Sequence, residues 1–323
     1  MGEDITTISW QSLTRMPRKS ELYDRETHFR EGWRHVVSVF GGETEEFLRR
    51  SALIMVIPDG IVSGKLASVH GFLAENGFSV VGVEQPVFSR LMWREMWRYQ
   101  LTAATDDRLA VNELVMVGTC LLLLIHDEQA GELPATVRLA SLKGSADLSK
   151  QLPGTLRARL GQPNRILSHI HVADEPADLV RELSLLLEPE EREHALRSFK
   201  RGVVSIADQA ILDEALVAES TTVSRKFDAG ESFRSVVETL KNTVVSDPEV
   251  SARNHRTIAE LERARAGEQV EWPGLAAALL ASGAELDRWD LAMIGANLIV
   301  ADEPGQAKVI PNPDLALWME ERG

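Results

Sequence analysis

The chain of 323 residues has a single cysteine, Cys120, so no internal disulfide can form and a reducing compartment, the cytoplasm, is the expectation. Its place in the apolar run 114–125 reads as an inert buried thiol. No apolar stretch approaches the ~20 residues that a membrane span needs, and the polar, charged N-terminal residues carry no signal-peptide core. Positive charge is scarce, with 35 Lys+Arg against 49 Asp+Glu and a net charge of -14. That balance argues against a nucleic-acid or anionic-membrane surface and leaves room only for a local basic pocket. Metal-ligand spacing is missing, because no cysteine or third histidine lies near His169 and His171 in sequence. A Walker-type loop is missing too, since Gly60 and Gly64 form no such pattern. There is no internal repeat or low-complexity tract.

What is present suffices for a sizeable core: 44% of the residues are hydrophobic and 26% charged. The length favours two units. Residues 1–50 read as an arm followed by helices around 21–40 and 44–50, broken at Gly41-Gly42, with Thr44 as a cap. A buried strand over 53–57 is stopped by Pro58-Asp59-Gly60. Helix 66–75 ends at Asn76-Gly77, and strand 78–87 follows. Helix 89–100 has Ser89 as its cap, and a short helix covers 106–112. The run 114–125 is the strongest strand signal, followed by helix 133–142. After an aperiodic, arginine-bearing stretch come strand 168–172 and helix 175–187. Periodicity alone gives an α+β class. The order β-α-β, helical insert, β-α-β-α is that of a split βαβ, ferredoxin-like fold.

Chemistry concentrates at the last strand–helix junction, Ile170-His171-Val172-Ala173-Asp174. Asp174 is placed to cap the following helix and Pro176 suits its first turn. His171 therefore sits near a helix N-terminus, where free N–H groups favour phosphate. Glu182, eleven residues on and two turns into the helix, is placed to orient the ring.

The stretch from about 52 to 191 resembles a nucleoside diphosphate kinase domain. Four features carry the resemblance, in order and at about the right spacing: the first strand with its Pro58-Asp59-Gly60 turn, Gly77–Gly82 as the start of the second strand, Pro153-Gly154-Thr155-Leu156-Arg157, and His171. The resemblance implies the split βαβ fold and phosphoryl transfer from ATP, with Mg²⁺, through a phosphohistidine at His171 held by Glu182. It places Arg157 on a phosphate-binding arginine and Arg138 on another, across a spacing two residues longer than the family's. It puts Ser145 where the family has a phosphate-binding threonine and Ser168 where it has an asparagine. Trp97 takes the place of a tyrosine near the phosphates, with Tyr99 as the alternative register, and Leu109 lies on the wall against which the base stacks. Arg159 and Arg165 are nearby cations without a family match. Family members assemble through this domain, so a homo-oligomer is expected.

The sequence also departs from the pattern. Ile57 stands where the family has a phosphate-binding lysine, and Lys65 and Lys143 are the candidates to replace it. Val172-Ala173 stands in place of Gly-Ser.

The expected organisation is an N-terminal arm and helices over 1–50, the kinase-like domain over 51–191, and a mainly helical C-terminal domain over 192–323. In the last, helices are expected at 192–200, 203–217, 229–245, 253–265, 272–282 and 286–298. A turn at 301–305 separates two short strands, 298–300 and 307–310. That outlines a winged helix-turn-helix, but 15 Lys+Arg against 22 Asp+Glu in this region oppose DNA binding, and a packing or partner role is expected. The functional expectation is an ATP-dependent phosphotransferase with an altered acceptor, binding a nucleotide and neither nucleic acid nor membrane. The alternatives are a catalytically inactive nucleotide- or partner-binding module, and ATP-dependent activation of a non-nucleotide acceptor.

Overall fold

Residues 51–56 are all buried, as a central strand covered on both faces requires. The structure, a computed structural model, describes residues 9–319; the first eight residues of the expected arm lie outside the described residues. Among these, six strands are β1 (Ser51–Val56), β2 (Phe78–Glu84), β3 (Val87–Phe88), β4 (Gly118–Thr119), β5 (Leu121–Asp127) and β6 (Ile170–Val172). Four form an antiparallel sheet in the order β2-β5-β1-β6, and β3 pairs with β4. The sheet is the expected α+β split βαβ arrangement, with many helices following it.

The two-residue period of the strands sorts their side chains onto two faces. Leu53, Met55, Leu122 and Leu124 face the helices Thr27–Phe40, Pro176–Leu186 and Pro189–Arg201. Ala52, Ile54, Val56, Leu121, Leu123 and Ile125 face Leu66–Glu75, Ala135–Lys143, Leu156–Leu160 and Ile206–Thr221. The last helix comes from the C-terminal third of the chain and is bound to the sheet layer by Leu212 and Glu219. Both Glu219 oxygens accept from the free N–H groups of Leu66 and Ala67, at 2.7 and 2.9 Å, where a carboxylate complements the helix terminus.

Several local expectations change. The helix expected at 106–112 runs from Asp106 to Met116, so 114–116 are its last turn and the strand begins only at Leu121. A short apolar run reads the same in both conformations; Val115 and Met116 are buried from the helix, and Gly118 at φ 143° lets the chain turn before β4 and β5. Thr44 is the first residue of its helix rather than the cap: its hydroxyl donates to Gly41 O at 2.7 Å. Asp174 is not the cap either, because Glu175 and Asp178 form a capping box one residue later. The two strands expected at 298–300 and 307–310 do not pair with each other. Instead Asp302 bridges to Ala104 and Val309 N–H donates to Tyr99 O at 3.0 Å. No helix among the described residues is long and apolar enough to cross a membrane.

Candidate active site

The backbone entering β6 is strained. Ile170 N–H donates to Ser168 O at 2.7 Å across His169, whose φ is +65°, a γ-turn rare for a residue with a side chain. The turn around Pro58 holds it there. Asp59 Oδ2 accepts from His169 N–H at 2.9 Å, and Ile57 N–H donates to His169 O at 3.1 Å. Gly60 is required at this crossing, since a Cβ there would lie 2.3 Å from His169 O.

Beyond the turn, Ile170 and Val172 point into the core on one face, so His171 between them points to the other. Pro176 at the helix start and the capping box reverse the chain, and the helix Pro176–Leu186 carries Glu182 back over the imidazole. Nε2 lies 3.0 Å from each Glu182 oxygen. An acceptor there selects the tautomer with hydrogen on Nε2 and leaves a lone pair on Nδ1. Trp97 stands edge-on to the ring, with centroids 5.2 Å apart and planes at 87°.

Two cations accompany the pair. Lys143, the last residue of its helix, places Nζ 2.5 Å from Asp174 Oδ1. Burial pulls the ammonium below its usual pKa against the opposing pull of Asp174. Burial alone would raise the Asp174 carboxyl, but Lys143 beside it holds it below the usual range. Arg157 donates from Nη1 to Gly144 O at 3.0 Å, and its Nε is buried without a hydrogen-bond partner. A desolvated guanidinium with an unused donor is prepared for an anion.

All of these groups line one cavity of about 700 Å³. His171, Glu182, Arg157, Trp97, Ser145 and Ser168, each read from the sequence, are brought together there. Two are not. Arg138 is on the same helix as Lys143 but faces away. Its Nη1 lies 2.8 Å from Asp127, its Nη2 donates to Asn76 O and Gln129 Oε1, and it stacks over Phe78. Leu109 is half-buried against the core, while Arg108, Asn112 and Met116 of its helix line the cavity. Tyr99 packs against Tyr23, and Arg159 pairs with Glu75; neither reaches the site. Ile57 is buried in the core, and of the two lysines considered as its replacement Lys143, not Lys65, lines the cavity.

Other contributors carry no local sign in the sequence. Lys19 and Tyr23 enter from the helix Pro17–Tyr23, and Lys308 with residues 311–313 enters from the C-terminal segment. Their local patterns are those of ordinary surface helix and loop, and only tertiary packing brings them in. Asp178 joins them, hydrogen-bonded to Lys19 Nζ at 2.7 Å and to Tyr23 OH at 2.8 Å. Burial raises its carboxyl despite the pull of Lys19. Among the described residues no group of three or more His, Cys, Asp or Glu is placed to hold a metal ion.

No protein-family model matches the chain, and no curated protein matches it. Solved structures similar to it include the nucleoside diphosphate kinase of Aquifex aeolicus, at 19% identity and TM-score 0.37, covering 44% of this chain and 96% of that one. A nucleoside diphosphate kinase from Halobacterium salinarum, solved in complex with CDP, is similar at 20% identity and TM-score 0.35, over 44% and 89%. An NDP kinase from Pyrobaculum aerophilum is similar at 15% identity and TM-score 0.35, over 44% and 97%. Over 44% of its length the chain is thus similar in structure, at low identity, to nucleoside diphosphate kinases.

Proposed function

We propose that the chain is an ATP-dependent phosphotransferase working through a phosphohistidine at His171. The observation that carries this reading is the bond of Nε2 to both Glu182 oxygens at 3.0 Å, in a cavity that also holds Lys143 and Arg157. With its proton on Nε2, the ring presents Nδ1 as a nucleophile. Nδ1 forms a bond to the γ-phosphorus of ATP as the bond to the bridging oxygen breaks, and ADP leaves with that electron pair. An acceptor oxygen then attacks the phosphorus and the N–P bond breaks, returning the pair to Nδ1. Throughout, Glu182 keeps the Nε2 proton and the aim of the ring.

Phosphoryl transfer rests on positioning and on neutralising the equatorial oxygens. The buried, partly unpaired Arg157 and the lysine at 143 supply positive charge for this. When bound to the phosphates of ATP, Mg²⁺ would supply further neutralisation of their charge. Ser145 and Ser168 offer hydroxyls to the same anion, and Trp97 limits the motion of the imidazole. The missing lysine at 57 and the altered residues after the histidine favour a specialised acceptor over general nucleotide exchange.

Incubation with γ-labelled ATP and Mg²⁺ tests the reading. Acid-labile label on the wild type and none on His171→Gln is expected. Equal labelling of the variant overturns the assignment to His171. No label on folded, nucleotide-binding wild type would favour direct transfer to an acceptor or a non-catalytic binding role.

A further inference from the structure

The cavity holds a second set of cations that the transfer step does not use. Arg108 on the helix Asp106–Met116, Arg165 in the loop before β6, and Lys308 in the C-terminal segment converge there from three separate parts of the chain. Asp302 is their counter-ion: it pairs with Arg108 and lies 3.4 Å from Arg165 Nη2. Among the described residues Lys308 Nζ donates to the neutral Asn312 Oδ1, at 3.0 Å. Asp302 is the carboxylate in ion-pair contact with the set, while Asp147 and Asp174 act on Arg165 and Lys308 from farther off. Arg108 Nε, in addition, is buried without a hydrogen-bond partner.

Within this set the strongest interactions are among its own members and Asp302. Burial lowers Arg108, which then interacts chiefly with Asp302 and Arg165. Burial likewise lowers Lys308, and Arg108 and Arg165 press it further. Lys143 and Arg157 face Asp174, which also draws on Lys308 as the least of the groups acting on it. The segment carrying Lys308 is also fastened. Val309 and Ile310 N–H groups donate to Tyr99 O, and Trp318 Nε1 donates to Glu175 Oε1 at 2.8 Å. Like charges held together in a partly desolvated cavity repel, and an anion among them relieves that repulsion.

We propose that Arg108, Arg165 and Lys308 bind a second anionic group, phosphate or carboxylate, on the acceptor that takes the phosphoryl from His171. The identity of the bearer as acceptor rests on the phosphotransferase reading, whereas the anion site does not. The acceptor is then anionic at a point away from the group that is phosphorylated, which a neutral alcohol or a bare base is not.

Calorimetric titration of the full chain with inorganic pyrophosphate tests this. Two binding events are expected in the wild type. Arg157→Gln should abolish one, and Arg108→Gln combined with Lys308→Gln should weaken the other at least tenfold. Lys308→Met alone keeps the stem of the side chain and should weaken the second event severalfold with an unchanged melting temperature, so loss of fold cannot stand in for loss of the site. A single event, lost in Arg157→Gln and untouched by the Arg108 and Lys308 variants, overturns the proposal. Labelling of His171 with only that single event defeats this inference and leaves the transferase reading in place. Two events without labelling do the reverse. In Arg157→Gln, tighter binding of pyrophosphate than of citrate assigns a phosphate-bearing acceptor, and the opposite order assigns a carboxylate.

Discussion

Lys143 Nζ and Asp174 Oδ1 meet at 2.5 Å, joining the end of the helix Ala135–Lys143 to the residue three beyond His171. This pair brings a point charge into the site from a different element than the one where the resemblance places a lysine. At that position Ile57 is 1% exposed and belongs to the core. Lys143→Met should therefore slow labelling of His171 by about 10²- to 10³-fold, the usual weight of one charged contact in a transition state. Lys143→Arg should recover much of it. Single-turnover labelling with γ-labelled ATP measures both, and an unchanged rate in Lys143→Met would remove the residue from the mechanism.

In the proposed transfer Glu182 acts through the histidine and not on the phosphoryl group, so its loss should show in rate and not in stability. Glu182→Ala should reduce the labelling rate by roughly 10²-fold, as the ring loses its fixed tautomer and aim. Glu182→Gln, which retains one acceptor oxygen, should fall in between. Both should melt near the wild-type temperature. A fall in stability that accounts for the lost rate would instead make Glu182 a packing residue.

The pattern of the chain made the sheet legible because β1 and β5 are buried on both faces and their apolar runs have no other use. His171 is legible from the strand end and helix start around it, and Glu182 from its offset of two turns into that helix. Arg157 is read only through the resemblance of residues 153–157 to the family motif. Arg138 was misplaced for a physical reason. Position 138 lies five residues before 143, which puts it about 140° round the helix, so it faces away from the cavity and is held by Asp127. Lys19 and Lys308 were not legible at all, since they reach the cavity from opposite ends of the chain and no local spacing encodes that. The wing expected at 298–310 failed because its backbone finds partners at Tyr99 and Ala104 instead.

Arg181 and Glu26 form a buried pair with two contacts of 2.8 Å, and Arg181 also donates to Met96 O and Glu95 O. The pair ties the helix Thr27–Phe40 to the helix that carries Glu182 and to the turn before Trp97. Removing one partner leaves an uncompensated charge in the core, which costs about 3–5 kcal/mol. Glu26→Ala should lower the unfolding free energy in urea by that amount. A loss below about 1 kcal/mol would mean that the pair is solvated and does not hold these elements together.

His126, at 5% exposure on β5, stacks against Phe199 with centroids 5.8 Å apart. Burial, aided by the nearby Arg50, pushes its pKa down to about 4, whereas an unfolded chain holds histidine near 6.5. Between those values the unfolded state binds the proton and the folded state does not, so stability is retained above pH ~6.5 and falls as the pH drops toward 4. The loss from this residue should be about 2–3 kcal/mol. His126→Phe keeps an aromatic ring against Phe199 and removes the titrating group, so its stability should fall less between pH 7 and pH 4.5. Urea unfolding of both chains at the two pH values measures the difference. Equal losses in the two would place the acid sensitivity in the carboxylates and leave His126 without a part in it.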